Sequence, residues 1–299
     1  GRSETLCALF SFLAVGAWAR ALNEDREGGR TWPWRIAGIA AFVAAALSKE
    51  VGGVVPLVAF SLEWAALGVR GVRRARRPQW AWYLPFACVI ALAMFLRLSV
   101  VGALLPHEVD RTLLGQLVTS AEVWLRYLAL WLVPVGQTIF HDQPDVAPWS
   151  GRGIVAVVGW VSLVLGGFVW GRWRPAGGFA LVAAGLTLVP STSFVMLVEH
   201  MAEHRSLQAG FYLLLAVGLS VPAGQLRGAG GAAVVLMPAL VWATLARNTV
   251  WTSEAALWAE ATVRAPASPQ AWYGLGSAHR FGGGFTESVA ALETAVTLD

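Results

Sequence analysis

Residues 80–101 read WAWYLPFACVIALAMFLRLSVV, an apolar run with two early tryptophans and a single charge, Arg97. About 20 apolar residues in a helix cross the ~30 Å of hydrocarbon in a bilayer, so this stretch predicts a membrane span. Seven more apolar runs flank it, at 5–21, 34–48, 51–67, 154–170, 179–195, 207–221 and 232–247. Several fall short of a full crossing, which local bilayer thinning or burial among neighbouring helices accommodates.

Composition agrees with that reading. Of 299 residues, 57% are hydrophobic and 13% charged, and the mean hydropathy is +0.59. A soluble domain carries about 25% charged residues, so a chain this long and apolar requires lipid as its solvent and partner. Tryptophans cluster at the ends of the runs (Trp32, Trp34, Trp80, Trp82, Trp149, Trp170, Trp173), where indoles favour the headgroup layer. The net charge of +4 comes from arginines between the runs, so nucleic acid is not an expected partner. Cys7 and Cys88 lie inside apolar runs, without metal-ligand spacing or a disulfide framework.

The arginines also predict orientation, because basic loops stay cytoplasmic. The loop 69–79 holds Arg70, Arg73, Arg74, Arg76 and Arg77; 171–175 adds Arg172 and Arg174, and 222–231 adds Arg227. The mixed loop 22–35 contributes Arg26, Arg30 and Arg35. All four face the cytoplasm together only if 113–134 enters and leaves on the outer side. Glu122 and Arg126 pair at i, i+4 there, beside an apolar stripe of Leu125, Leu128, Leu132, Trp124 and Trp131. An interfacial or re-entrant amphipathic helix is therefore expected rather than a ninth span. Lys49-Glu50, 102–112, 136–153, 198–206 and everything after Arg247 then face outward.

The last 50 or so residues change character. A transmembrane domain over 1–250 gives way at 251–299 to amphipathic helices, Trp251 to Ala265 and then Pro269 onward, with a glycine turn at 282–284 before a third from Phe285. Trp272, Leu275 and Gly276, followed by Ser288, Leu292 and Ala295, fit the tetratricopeptide (TPR) pattern, with His279 replacing its tyrosine. The chain stops at Asp299, inside a repeat, and begins without Met. It reads as a piece of something longer, with further repeats expected to bury the apolar face of the first.

Polar residues near the outer ends of spans are the candidate site. Lys49 is the single lysine among 22 basic residues. With Glu50 it reads either as a neutralised turn or as an ammonium at membrane depth suited to phosphate. His141 and Asp142 stand in an outer loop, where they contact a polar substrate or are simply solvated. Glu199, His200, Glu203, His204 and Arg205 crowd between two spans. If helical, His200 and His204 share a face at zinc-binding spacing, but no third ligand is apparent and no metal is indicated. Arg205 suits bidentate phosphate contacts. Arg2 and Glu4 lie at the entrance of the first helix on the same outer side, as does Arg97, which can snorkel outward.

Four short motifs carry a resemblance: Gly1-Arg2-Ser3-Glu4 before a helix, Ser48-Lys49-Glu50, His141-Asp142-x-Pro144, and Glu203-His204-Arg205 before a helix. With the passage from Asn248 to Gly276, they resemble the TMTC-type family of transmembrane and TPR-containing O-mannosyltransferases and its bacterial relatives. The resemblance implies an all-α, GT-C-like polytopic bundle, truncated at its N-terminus, that leads into extracytoplasmic TPR repeats. It implies transfer of a mannose-like sugar from a polyprenyl-phosphate donor to a protein hydroxyl outside the cytoplasm, with the acceptor or a partner held by the repeats. A bacterial inner membrane, with the repeats in the periplasm, is the expected setting. Lys49, His141, Arg205 and Arg2 would then surround the donor phosphate, where fixed cations stabilise charge developing on a leaving group. Glu203 or Asp142 would orient those groups or the sugar, beside Glu50 and His204. The catalytic acids of such enzymes would lie upstream of Gly1. Where the family continues with Tyr-Leu-Pro, this chain has Ser206-Leu207-Gln208. Two other readings remain: an oligosaccharide ligase or polymerase, and a non-catalytic membrane-anchored TPR scaffold.

Overall fold

A computed structural model describes residues 2–67, 80–101, 112–190 and 199–299. The arginine-rich loop 69–79, all but Thr112 of the loop 102–112, and the end of the run 179–195 lie outside the described residues. Every regular element among the described residues is helical. The α-helices are α1 (Arg2–Glu27), α2 (Trp32–Ser48), α3 (Val55–Leu67), α4 (Leu84–Val101), α5 (Leu113–Leu132) and α6 (Gly151–Gly171). They continue as α7 (Pro175–Val189), α8 (Leu207–Ser220), α9 (Leu226–Asn248), α10 (Glu254–Arg264), α11 (Pro269–Phe281) and α12 (Phe285–Leu298).

Four described helices are long and apolar enough to cross a membrane: Arg2–Glu27, Trp80–Val100, Gly151–Gly171 and Ala233–Thr252. Many of their large side chains are uncovered by protein, as at Leu9, Leu92, Phe95, Leu165, Phe168, Val234 and Val235. Exposure of that kind calls for hydrocarbon rather than water around them. Trp32–Ser48 and Pro175–Val189 are apolar but shorter.

The element boundaries follow capping chemistry more than hydropathy. The first apolar run ends near residue 21, yet α1 continues to Glu27. An Arg20–Glu24 pair at 2.9 Å supports the added turns. Gly28, at φ 77°, then stops the helix, and the Gly29 N–H donates back to the Glu24 carbonyl at 2.7 Å. This is the Schellman arrangement, whose left-handed position suits glycine. The run 51–67 is α-helical only from Val55, because residues 50–54 form a 3-10 turn. Ser150 and Ser253 cap α6 and α10, their hydroxyls accepting the N–H of Gly153 and Ala256.

The chain forms two compact units. The first comprises 1–131, 145–198 and 204–220. In it α1 packs along α2, α7 lies against α3, α6 and α8, and α1 also meets α3 and α8. Its densest aromatic core joins Trp18, Phe42 and Phe86, all fully buried, with Trp18–Phe86 and Phe42–Phe86 centroids 5.1 and 4.8 Å apart. Helix α5 forms over nearly all of 113–134 and is tied to the start of α6. Glu122 accepts hydrogen bonds from Arg126 at 3.0 Å and from Arg152 at 2.6 Å.

The second unit comprises 132–144, 199–203 and 221–299. Its helices α10, α11 and α12 pack as successive neighbours. Gly276 of α11 lies against Leu292 and Ser288 of α12, and the Ser288 hydroxyl donates to the Gly276 carbonyl at 2.8 Å. Trp272 donates its indole N–H to the Pro266 carbonyl at 2.9 Å. Leu275 and Ala295 are buried with Ser288. Small residues therefore sit where the helices approach.

Candidate functional site

In the first unit, three chain segments bring charged groups to one end of the helices. Helix α2 closes with the Lys49 N–H on the Ala45 carbonyl at 3.0 Å, and Lys49 itself is extended. The Gly52 N–H then returns to the Lys49 carbonyl at 2.9 Å. This turn needs glycine at 52, since a Cβ there would lie 2.6 Å from the Ala45 backbone. The tight reversal presents the half-buried Lys49 side chain beside the first turn of α1, where it pairs with Glu4. His204 reaches the same Glu4 carboxylate, with Nε2 3.4 Å from Oε1.

Arg205 follows His204 directly in the chain, in the same 3-10 turn. Burial lowers the Lys49 ammonium from its ordinary value; Glu50 pulls it upward and the Arg205 guanidinium adds to the fall. Beneath this group the Cys7 thiol faces the Lys49 carbonyl at 3.9 Å, and the Gln208 amide donates to its sulfur at 3.6 Å. Those contacts join α1, the turn after α2 and the start of α8. Glu4 is the hub of the cluster; hydropathy marks it only as the polar start of the first span. Arg2 and Glu50 are exposed.

In the second unit, His141 and Glu203 come together across 62 positions of sequence, with Nε2 2.8 Å from Oε1. The same Oε1 accepts the Thr138 backbone N–H at 2.7 Å. Thr138 is buried, while Asp142 is exposed and stands apart from this pairing. Residues 199–202 are not α-helical, and Glu203–Ser206 is a 3-10 turn. The i, i+4 face on which His200 and His204 would meet therefore does not form. No group of three potential metal ligands occurs among the described residues.

The first unit also holds an ion pair that has no local signature in the sequence. Arg35 opens α2 and Glu63 lies in α3, and their side chains meet at 3.0 Å, each only 4% exposed. The Trp18 indole N–H donates to the same Glu63 oxygen at 2.8 Å, and the Arg35 guanidinium lies over the Trp18 ring at 4.5 Å. The available signal was Glu63, a lone acid inside the apolar run 51–67.

Fold and site together define a protein that is all-helical among the described residues, with four potential membrane-crossing helices there and charge clusters beyond the ends of its apolar runs. Compared with protein-family models, curated proteins and solved structures, the chain matches none.

Proposed function

We propose that this protein is a GT-C-like membrane glycosyltransferase that takes a mannose-like sugar from a polyprenyl phosphate and delivers it to a protein hydroxyl outside the cytoplasm. Supporting this most directly is the gathering of Lys49, Glu4, His204 and Arg205 from three separate chain segments at one end of apolar helices. Charged groups at membrane depth are costly, and they persist where a polar ligand offsets the cost. Lys49 and Arg205 act as phosphate-holding cations. Lysine supplies a point charge, and the planar guanidinium supplies paired N–H donors. As the glycosidic bond breaks, these fixed charges stabilise the phosphate that leaves.

In this reading the Lys49 end of the helices faces outward and the basic loop after α3 faces the cytoplasm. Helices α10–α12 open a TPR array that presents the acceptor. The fit of Trp272, Leu275, Gly276, Ser288, Leu292 and Ala295 to the repeat pattern, and the Gly276–Ser288–Leu292 packing, support that part.

The test is donor binding by the full chain in nanodiscs, measured with a radiolabelled polyprenyl-phosphate sugar. Lys49→Ala and Arg205→Ala should each weaken binding about tenfold or more, as loss of a charge-assisted hydrogen bond implies. Binding equal to the parent in both variants would remove the proposal.

A further inference from the structure

The second unit carries an arrangement that goes beyond phosphate binding. Phe140 is 8% exposed and shares one buried apolar cluster with Ala261, Ala265 and Ala271, against which Ile139 and Trp258 pack. Trp258 and Ala261 lie on α10, Ala265 follows it directly, and Ala271 lies on α11. Positions 258, 261 and 265 share one helical face. Three of the four buried members of that cluster are alanines, so its one large side chain is the Phe140 ring, its centroid 6.4 Å from that of Trp258. The next residue, His141, is the one hydrogen-bonded to Glu203, and Thr138, two residues before Phe140, gives its N–H to that carboxylate. Among the described residues, the Nε2–Glu203 contact is the one hydrogen bond the His141 ring makes.

We infer that Phe140 is a positioning residue that fixes the His141–Glu203 pair to α10 and α11, so that these two helices set the orientation of the imidazole. An inserted ring removes the freedom of the backbone on both sides of it. The short run from Thr138 to His141 is thus held at one point by packing and at two by the Glu203 carboxylate. Releasing the packing frees the backbone that brings His141 to Glu203, and helices otherwise read as a recruiting arm become the scaffold of this pair. The inference rests on the glycosyl-transfer reading only for what His141 finally contacts.

The test needs no sugar donor. The full chain in detergent is treated briefly with diethyl pyrocarbonate, and acylation at each histidine is followed by peptide mass spectrometry. The reagent acylates an unprotonated ring nitrogen that it can reach, and the His141 side chain is only 13% exposed while it is held on Glu203, so a His141 released from Glu203 is reached and reacts faster. Phe140→Ala should raise the His141 rate about tenfold, the scale of one hydrogen bond to a charged group, and leave His279 on α11 unchanged. Glu203→Gln should raise the His141 rate similarly, and the double variant should add little, because both changes act on one contact. A His141 rate that stays at the parent value in Phe140→Ala, or fully additive effects, overturns the inference. If Phe140→Ala also raises His279, α11 has loosened, and Phe140→Leu is read in its place. A His141 rate raised alone then supports the inference, and an unchanged one overturns it. Donor binding is untouched by these readouts, so the two proposals fail separately.

Discussion

Arg35 and Glu63 form a buried ion pair 3.0 Å long between α2 and α3, and Trp18 of α1 completes it by donating its indole N–H to the same carboxylate oxygen. One carboxylate oxygen thus ties three apolar helices together. Taking the two charges out of water is expensive, and their mutual attraction recovers this only when the remaining donors are engaged. The Trp18 ring, against which the guanidinium lies, supplies part of that recovery.

Removing one partner leaves the other buried and uncompensated. Arg35→Ala and Glu63→Ala should each cost about 3–5 kcal/mol, read as a drop in the thermal unfolding midpoint in detergent. The double variant Arg35→Met with Glu63→Gln keeps an acceptor for Trp18 and should recover most of the loss. If the single changes are mild and their effects simply add, the pair contributes little to holding these helices together.

Close helix approach makes a second prediction. A Cβ on Gly210 of α8 would run into the Trp131 ring of α5, whereas one on Gly218, two turns further along, meets nothing within 4 Å. Trp131 is fixed there because its indole N–H donates to the Ser206 hydroxyl at 3.2 Å. Gly210→Ala should therefore destabilise by about 1–3 kcal/mol through overpacking. Gly218→Ala should be neutral or gain up to about 1 kcal/mol of helix propensity. Equal midpoints for the two variants would show that α8 and α5 do not pack this way.

How much of this was legible in the sequence depends on how far apart the interacting residues lie. Run length and capping are local, so α2, α6 and α10–α12 appear within a few residues of where the sequence puts them. Helix α1 overruns its apolar segment because Gly28, not the first polar residue, sets its end. Partners on separate helices leave no local signature. Arg35 was legible only as one basic residue of a mixed loop, and Glu4 only as a helix entrance, because Glu63 and Lys49 lie 28 and 45 positions away. Phe140 reads as one more apolar residue until α10 and α11 fold against it.

The junction of α9 with α10 should be acid-sensitive. Burial pushes the Glu260 carboxyl upward, but Arg247 of α9, at 2.6 Å, and Arg264, at 3.0 Å, outweigh it and hold the group below its ordinary value. The unfolded chain then binds this proton at higher pH than the folded one does. The stabilisation is present above the ordinary carboxylate range, near pH 4, and is lost as pH falls through the depressed value. The parent should exceed Glu260→Gln in thermal midpoint at pH 7, and the gap should narrow and close as the pH falls through and below the depressed value. A gap independent of pH would mean that the carboxylate's charge contributes nothing at this junction.

Glu4 occupies the cation that the proposed donor phosphate needs. Its carboxylate contacts Lys49 and lies 3.4 Å from His204, so an arriving phosphate must displace it or share the ammonium with it. Like charges repel by about 1 kcal/mol at ~4 Å even in water, and by more where solvent is scarce. Glu4→Gln keeps the length and hydrogen-bonding capacity of the side chain and removes its charge. It should therefore tighten binding of the polyprenyl phosphate by about fivefold or more. The gain should vanish in the Lys49→Ala background, where no ammonium is left to release. If Glu4→Gln instead weakens binding as much as Lys49→Ala does, the carboxylate orients the ammonium and does not compete for it, and the ligand must reach Lys49 with Glu4 still in place.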